Sequence, residues 1–324
     1  TLSLAGPNDY SISIRKKSFK SIKPKLLIPR EAKWQEINER LAFKSGFTGG
    51  YFNSQESFSL NALLMEKEEL EEVKEASEAI VKIFKKATEL VQQNSELFCP
   101  VLGISDSLSN LVCTKFTEEL TLIGRFDFVR NVKGELKLLE FNSETPAGLM
   151  EAIAINDIIN SECGYNLNNP NEGLREKLKN TFIRIIDQYT NKKEIRNIGF
   201  VCTNYYEDLY TTEVIYDAVK DLPYNFVFAE VSAIEVKNNT IYLNGVPIDA
   251  IYRYYPLDWF DQDTYFSGVI EAMKHNSMSI NPPSTLINQS KAFFALLWEL
   301  LNQGYFNDIE EKIIKKYIPE TSLS

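Results

Sequence analysis

The chain has 324 residues, a formal net charge of −10 and 44% hydrophobic residues. These values are typical of a globular protein with one or two domains, and they exclude a disordered, collagen-like or coiled-coil chain. An acidic chain lacks the basic surface that nucleic-acid phosphates require, so we expect no nucleic-acid partner. No apolar run reaches the length of a membrane span, so we also expect no membrane partner.

The first 30 residues contain seven basic residues against a single acid, which predicts a basic, solvated arm. Apolar residues at helical spacing then predict helices in several segments. These segments are 31–43, 62–92, 150–160, 172–190, 207–222 and 291–303. Strands are predicted between them. After residue 197 a strand, a helix and a strand follow one another, which is typical of a parallel sheet, and an Asn-Gly turn joins the next two strands. These later strands are 198–203, 225–230, 240–243 and 248–255.

Histidine and cysteine content restricts the chemistry. The single histidine, His275, excludes a metal site built from several histidines and argues against a Ser-His-Asp triad. Any metal would therefore be a hard cation held by oxygen atoms. Four cysteines without a C-x-x-C motif are typical of buried, reduced thiols, so we expect a cytoplasmic protein.

Two apolar runs, 121–129 and 136–141, flank the turn sequence Asn-Val-Lys-Gly and predict a β-hairpin. Because residues two apart in a strand share a face, one face would carry four polar side chains: Arg125, Asp127, Glu140 and Asn142. We expect the opposite face to pack into the core through Phe126, Phe128, Leu139 and Phe141.

The polar face of the predicted hairpin has two interpretations. Carboxylate and amide oxygens are ligands that Mg²⁺ prefers, and an arginine beside them can stabilise a transferring phosphoryl group. The same spacing fits equally well a pair of surface strands joined by ion pairs.

The hairpin motif, R-x-D followed by E-x-N and a small Ser- and Thr-bearing segment, resembles the signature of the glutathionylspermidine synthase family. Segments 204–210, 251–259 and 281–298 resemble the acidic loop, the aromatic strand and the P-x-x-T to Leu-Trp segment of that family. The resemblance covers roughly residues 50–320. It implies an α/β fold, with a Rossmann-like pre-ATP-grasp domain, part of an ATP-grasp domain and an N-terminal helical region.

The resemblance also implies four parts of the chain. They are a basic arm and helical region (1–115), an ATP-grasp-like hairpin with helices that carries the metal site (116–194), a Rossmann-like βαβ domain (195–260) and a helical segment (261–324). In the family this last segment leads into a nucleotide-binding half with a K-P … G-R-E-G stretch, which this sequence does not contain. We therefore expect a truncated or degenerate ligase that binds ATP weakly and does not turn over.

The activity that the resemblance implies is ATP- and Mg²⁺-dependent ligation of a carboxylate to an amine through an acyl phosphate. The substrates would be a small, glutathione-like peptide and a polyamine-like amine; the oligomeric state is not readable from the sequence. The alternatives are a non-catalytic peptide- or polyamine-binding relative and a structural subunit whose hairpin charges are surface pairs.

The resemblance assigns roles to nine residues. Asp127, Glu140 and Asn142 would hold Mg²⁺, while Arg125 would be catalytic and contact the γ-phosphate of ATP. Thr145 and Thr285 would bind the peptide, and Glu207 and Asp208 would attract the amine, although acids at a helix start are also favoured by the helix dipole. Lys291 would contact phosphate or simply be exposed.

Overall fold

A computed structural model of the chain describes residues 19–45, 47–52, 54–190 and 193–323. Most of the predicted basic arm, residues 1–18, lies outside these residues. The α-helices, in chain order, are α1 (Arg30–Ser45), α2 (Lys67–Gln93), α3 (Ser95–Leu102), α4 (Asp106–Cys113), α5 (Asn156–Glu162), α6 (Leu174–Thr190), α7 (Tyr206–Val219), α8 (Leu257–Gln262), α9 (Val269–His275), α10 (Thr285–Gln289), α11 (Ala292–Asn302) and α12 (Asp308–Tyr317). A π-helical turn (Glu151–Ile155) and two 3₁₀ turns (Val231–Ala233 and Thr264–Phe266) complete the helical elements of the described chain.

The strands fall into one parallel sheet and several small antiparallel ones. In chain order they are β1 (Phe19–Ile22), β2 (Tyr51–Phe52), β3 (Gln55–Glu56), β4 (Ala62–Met65), β5 (Arg125–Arg130), β6 (Leu136–Asn142), β7 (Asn197–Cys202), β8 (Asn225–Glu230), β9 (Ile234–Lys237), β10 (Thr240–Leu243), β11 (Val246–Ile248), β12 (Ala250–Tyr254) and β13 (Met278–Ser279).

The parallel sheet has the order β13-β12-β7-β8, and helix α7 connects β7 to β8. Both pairings of β7 are parallel, which confirms the predicted strand–helix–strand unit. The predicted strand 248–255 is in fact two strands, because the chain leaves the antiparallel sheet β11-β10-β9 at Ile248 and enters the parallel sheet at Ala250.

Side chains on the two faces of the parallel sheet enter two different cores. Ile198, Phe200 and Cys202 of β7 pack with the core that includes Trp34, whereas Val201 packs with the core of α2 and the β5–β6 hairpin. Gly199 also faces the second core, where a Cβ would lie 2.6 Å from the side chain of Leu243. The sheet is therefore covered on both faces, as expected for parallel strands.

The predicted helix 62–92 is wrong over its first residues. Ala62–Met65 forms strand β4, which pairs antiparallel with β1, and helix α2 begins at Lys67. The sequence Ala-Leu-Leu-Met has good helix propensity and no clear period, so pairing with a distant strand overrides the local preference.

The helix predictions for segments 31–43, 172–190, 207–222 and 291–303 are confirmed, although helix α7 ends at Val219. The predicted helix 150–160 consists of the π-helical turn and the first part of α5. The four cysteines are free; three are buried, and the fourth, Cys113, is half-buried with its Sγ 3.4 Å from the Sγ of Cys99. Burial raises the pKa of Cys202 to about 11. No helix in the described part of the chain is both long and apolar enough to cross a membrane.

Candidate active site

The β5–β6 hairpin forms as predicted and pairs its polar residues across the strands. Arg125 lies opposite Asn142, and Asp127 lies opposite Glu140. On the other face, Phe126 and Phe141 stack with ring centroids 4.2 Å apart and pack against Phe84 of α2.

A β-bulge corrects one detail of this prediction. The register shifts after Asp127, so that Phe128 pairs with Leu138 and Leu139 is left without a partner in the ladder. Leu138 is fully buried, whereas Leu139, predicted to face the core, is 45% exposed. The bulge absorbs one residue of β6, and strict alternation along a strand cannot anticipate this.

Hydrogen bonds join the four polar side chains into one cluster. The guanidinium of Arg125 donates to both carboxylate oxygens of Asp127, at 2.7 and 3.0 Å, and to the carbonyl of Ala147 at 2.9 Å. The amide of Asn142 donates to Asp127 and Glu140, each at 3.2 Å. The hydrogen bonds that Arg125 donates to Asp127 raise the pKa of Arg125, so the guanidinium remains charged.

The cluster is open to solvent and contains balanced charges. The side chains of Arg125, Asp127 and Glu140 are 44%, 31% and 35% exposed. Lys291, which precedes helix α11, lies with its Nζ 3.5 Å from Glu140 and so joins the cluster. Two cations therefore face two carboxylates at a surface where ligands can reach them.

The donor set suits a hard cation only in a limited way. Within the described residues there is no group of three or more His, Cys, Asp or Glu side chains that could hold a metal. Two carboxylates and one amide are compatible with Mg²⁺, which usually keeps several waters and binds substrate phosphates. The amide of Asn142 now presents nitrogen to the carboxylates, so it would have to rotate to offer its oxygen to a cation.

A cavity of about 280 Å³ lies next to the cluster, and Ala147, the residue that Arg125 binds, lines it. Three separate parts of the chain form its walls: residues 47, 49 and 55–57, residues between 147 and 155, and the start of α7. Three acids, Glu56, Glu151 and Glu207, line this cavity, which we call the acidic cavity.

The three acids of the cavity differ in their partners. Arg30 forms an ion pair with Glu56, and its hydrogen bonds lower the pKa of that carboxyl. No described residue forms an ion pair with Glu151 or Glu207. A hydrogen bond with Tyr205 that favours the protonated phenol, together with partial burial and the charge of Glu207, raises the pKa of Tyr206 to about 12. The cavity is therefore negatively charged beside a cluster that has balanced charges.

Comparison with known proteins identifies the family. The family described as glutathionylspermidine synthase pre-ATP-grasp matches residues 25–312. The chain belongs to this family. Its α/β fold, with a parallel sheet covered on both faces, agrees with that assignment.

Two proteins illustrate the similarity. A Haemophilus influenzae protein named "Putative acid--amine ligase" is 24% identical over 185 residues, which cover 56% of this chain and 46% of that protein. The match therefore spans about half the length of this curated relative. A glutathione synthetase-like effector from Globodera pallida, solved in its apo form, has a TM-score of 0.58 at 10% identity and covers 92% of this chain and 72% of its own. At that identity the likeness shows the fold alone.

The two threonines that the resemblance assigns to peptide binding, Thr145 and Thr285, are less exposed than the cluster. Thr145 is half-buried in the loop after β6. Thr285 is fully buried, and its hydroxyl donates to the carbonyl of Pro282 at 2.6 Å, so it is not open to a ligand in this conformation. Its own carbonyl accepts a hydrogen bond from Ser143 at 2.9 Å, which fixes the start of the Thr145 loop. Thr285 therefore helps to position the loop that carries Thr145 through its backbone carbonyl.

Glu207 and Asp208 point in different directions. Glu207 lines the acidic cavity, whereas Asp208 does not and instead accepts a hydrogen bond from the hydroxyl of Thr203. Burial raises the pKa of Asp208, and the bond from Thr203 only partly opposes that effect. The structure therefore places Glu207, but not Asp208, in the wall of the acidic cavity.

Sequence reasoning missed the buried ion pair between Glu144 and Arg253. Both side chains are fully inaccessible, with a guanidinium nitrogen 2.6 Å from a carboxylate oxygen. Leu257 donates its backbone N–H to Glu144 at 3.2 Å, and Arg253 also donates to the hydroxyl of Ser279 at 3.1 Å. The pair ties the loop that carries Thr145 to the end of β12. A charged residue within the apolar β12 was the available signal, because buried charges require partners.

Proposed function

We propose that the chain provides the metal, phosphate and amine sites of an ATP- and Mg²⁺-dependent ligase that joins a carboxylate to an amine. The carboxylate of a small, glutathione-like peptide would attack the γ-phosphoryl group of ATP and release ADP. The neutral amine would then attack the acyl phosphate, form the amide and release inorganic phosphate and a proton. The observation that carries the proposal is the hydrogen-bonded cluster of Arg125, Asp127, Glu140 and Asn142 beside a cavity with two carboxylates that pair with no described cation.

Asp127, Glu140 and Asn142 would hold Mg²⁺, which neutralises charge on phosphate oxygens when it is bound. Arg125 and Lys291 now balance the carboxylates of Asp127 and Glu140. A bound dication would neutralise these carboxylates instead. The long, exposed side chains of Arg125 and Lys291 would then be free to contact the anionic phosphates. Positioned charges of this kind supply most of the catalysis in phosphoryl transfer.

The amine would bind in the acidic cavity. Glu151 and Glu207 offer carboxylates that no described cation occupies, and Arg125 reaches the cavity wall at the carbonyl of Ala147. An ammonium held there would lie near the group that contacts the phosphate. Holding both reactants in one place lowers the entropy loss of the second step.

Metal-dependent nucleotide binding tests this proposal. Mn²⁺ can replace Mg²⁺, so that electron paramagnetic resonance reports even weak binding of the metal with a non-hydrolysable ATP analogue. We expect Asp127→Asn and Glu140→Gln to weaken that binding at least roughly tenfold, because each removes a charged ligand. Glu135→Gln, which changes an exposed acid of the same hairpin, is the matched control. Equal binding by all four proteins would contradict the proposal.

A second candidate function is amine or peptide binding without catalysis. Glu151 and Glu207 line the acidic cavity and form no ion pair with any described residue, and neither belongs to the Arg125 cluster; this observation favours the candidate. Calorimetric titration with spermidine and with glutathione, without metal or nucleotide, separates the two functions. Binding that persists in Asp127→Asn, together with no metal-dependent nucleotide binding, would favour the non-catalytic relative.

A further inference from the structure

A second cavity, of about 430 Å³, shares two wall residues with the acidic cavity. The shared residues are Glu151 and Ile155, so the two cavities meet at these side chains. We call the second cavity the apolar groove, because apolar side chains such as Phe58, Leu63 and Ile159 supply most of its wall. Leu63, in the short strand β4, is 67% exposed there.

The shared wall has an unusual backbone. Glu151–Ile155 forms a π-helical turn, in which Asn156 donates its N–H to the carbonyl of Glu151, five residues earlier. Such turns are rare, are less favourable than α-helix and occur often at functional sites. The wall residues Glu151, Ile155 and Ile159 recur every four residues, so one helical face borders the groove.

The groove carries little charge of its own. Among the described residues that line it, Glu151 at the junction is the one carboxylate, and there is no lysine or arginine. Two of the amide side chains that line it are used within the protein. Asn160 exchanges hydrogen bonds of 2.8 and 3.0 Å with the backbone of Leu167, and Asn169 donates to Asp157 at 2.6 Å. The groove can therefore cover an apolar body, and apart from Glu151 its described lining residues include no carboxylate that could pair with a second cation.

We propose that the acidic cavity and the apolar groove form one site for an amine with an uncharged, apolar body. This rests on the proposed function, in which the cavity binds the reacting amine. The ammonium group lies between Glu151 and Glu207, and an alkyl or arylalkyl body extends past Ile155 toward Leu63. A polyamine of the same length would place a second ammonium in the groove, where it would lose hydration without gaining a carboxylate.

Calorimetric titration of the full chain with a matched series of amines tests the inference. The series is methylamine, butylamine and hexylamine, with 1,6-diaminohexane as the doubly charged probe and hexanol as the uncharged one. We expect affinity to rise roughly three- to fourfold for each methylene that the groove covers. Hexylamine should bind more tightly than the diamine, and hexanol should bind far more weakly than hexylamine.

Three variants locate the site. Leu63→Ser should reduce the gain from chain length, whereas Glu207→Gln should weaken all the amines by a similar factor. Leu97→Ser is the matched control, because Leu97 is also an exposed leucine, 64% accessible, and lies on helix α3 away from both cavities. It should leave every affinity unchanged.

The outcomes separate this inference from the proposed function. Amines that bind with affinity independent of chain length, or equally well to Leu63→Ser, would overturn the groove while leaving the amine cavity in place. Tighter binding of the diamine than of hexylamine would overturn it in favour of a polyamine site. A chain that binds none of the amines would overturn both the groove and the amine cavity.

Discussion

Two arginine–carboxylate pairs adjoin the loop that follows the hairpin, and they have opposite surroundings. Arg125 and Asp127 are partly exposed on the hairpin, at 44% and 31% side-chain accessibility. Glu144, two residues after the hairpin ends, is fully buried against Arg253. The chemistry of the two pairs is the same, but only the exposed pair can exchange its partner for a ligand without breaking the fold.

The contrast shows how the site is organised. An exposed pair contributes little to stability, because water and salt screen its charges, so its residues are available for binding. Removing one member of a buried pair lowers the stability of the fold strongly, because the remaining charge has no water to replace its partner. The buried pair fixes the loop that Arg125 of the exposed pair contacts at Ala147. We therefore expect substitutions at buried and exposed charges to differ in their effect on stability.

Removing one member of the buried pair should have the largest effect. Arg253→Met would leave the Glu144 carboxylate buried without its partner, and we expect the free energy of unfolding to fall by about 3–5 kcal/mol. Urea denaturation measures this, with Arg125→Met as the matched control that should change stability by less than ~1 kcal/mol. If Arg253→Met does not fold, the double variant Glu144→Leu/Arg253→Met should recover folding. Equal effects of the two single arginine variants would contradict the division.

Asp249, a second structural carboxylate, should show a smaller effect with a definite pH dependence. It accepts the backbone N–H groups of Arg196 and Asn197, each at 3.0 Å, and pairs with Lys193. Burial acts to raise the pKa of Asp249, but these hydrogen bonds outweigh burial and hold it below its usual value.

A lowered folded-state pKa means that stability is present above the unfolded pKa, about 4, and is lost as the pH falls through the folded value. Asp249→Asn should therefore lower the free energy of unfolding by about 1–2 kcal/mol at neutral pH. The difference should shrink under acid conditions, which urea denaturation across the pH range measures. A difference that stays constant with pH would show that the charge is not responsible.

Asp208, near the acidic cavity, should show the smallest effect and the opposite sign. Burial raises the pKa of Asp208, so this carboxyl binds its proton more readily in the folded protein than in the unfolded chain. The folded protein therefore loses stability as the pH rises from the unfolded-state pKa to the folded-state pKa. Asp208→Asn should keep the hydrogen bond from Thr203. It should stabilise the protein at neutral pH by less than ~1 kcal/mol, because the group is half exposed.

The same urea series checks the sign, since the gain should disappear below the unfolded pKa of Asp208. A loss of stability at neutral pH would instead indicate that the charge at the start of α7 is favoured by the helix dipole.

Local signals in the sequence were sufficient for the elements that carry the cluster. The turn before β6 predicts the hairpin, and two-residue spacing places Arg125 with Asp127 and Glu140 with Asn142, as the structure confirms. Long-range features had no such signal. Glu144 and Arg253 are 109 positions apart, and the acidic cavity combines three separate segments, so no local pattern links their residues.

Local patterns also failed where tertiary pairing overrode them. Strand β4 has a helix-forming composition, and only its pairing with β1 makes it a strand. The exchange of Leu138 for Leu139 in the core depends on a single unpaired residue, which alternation cannot reveal.

The unpaired Leu139 has a consequence for engineering. A hairpin shortened by that one residue would regain a regular ladder with all its other side chains on their present faces, because Phe128 already pairs with Leu138. It would lose only the added local coiling that a bulge imposes on its strand. Comparison of the shortened and full-length hairpins would therefore show how much the bend at the bulge contributes to the position of Glu140 while the aromatic face stays buried.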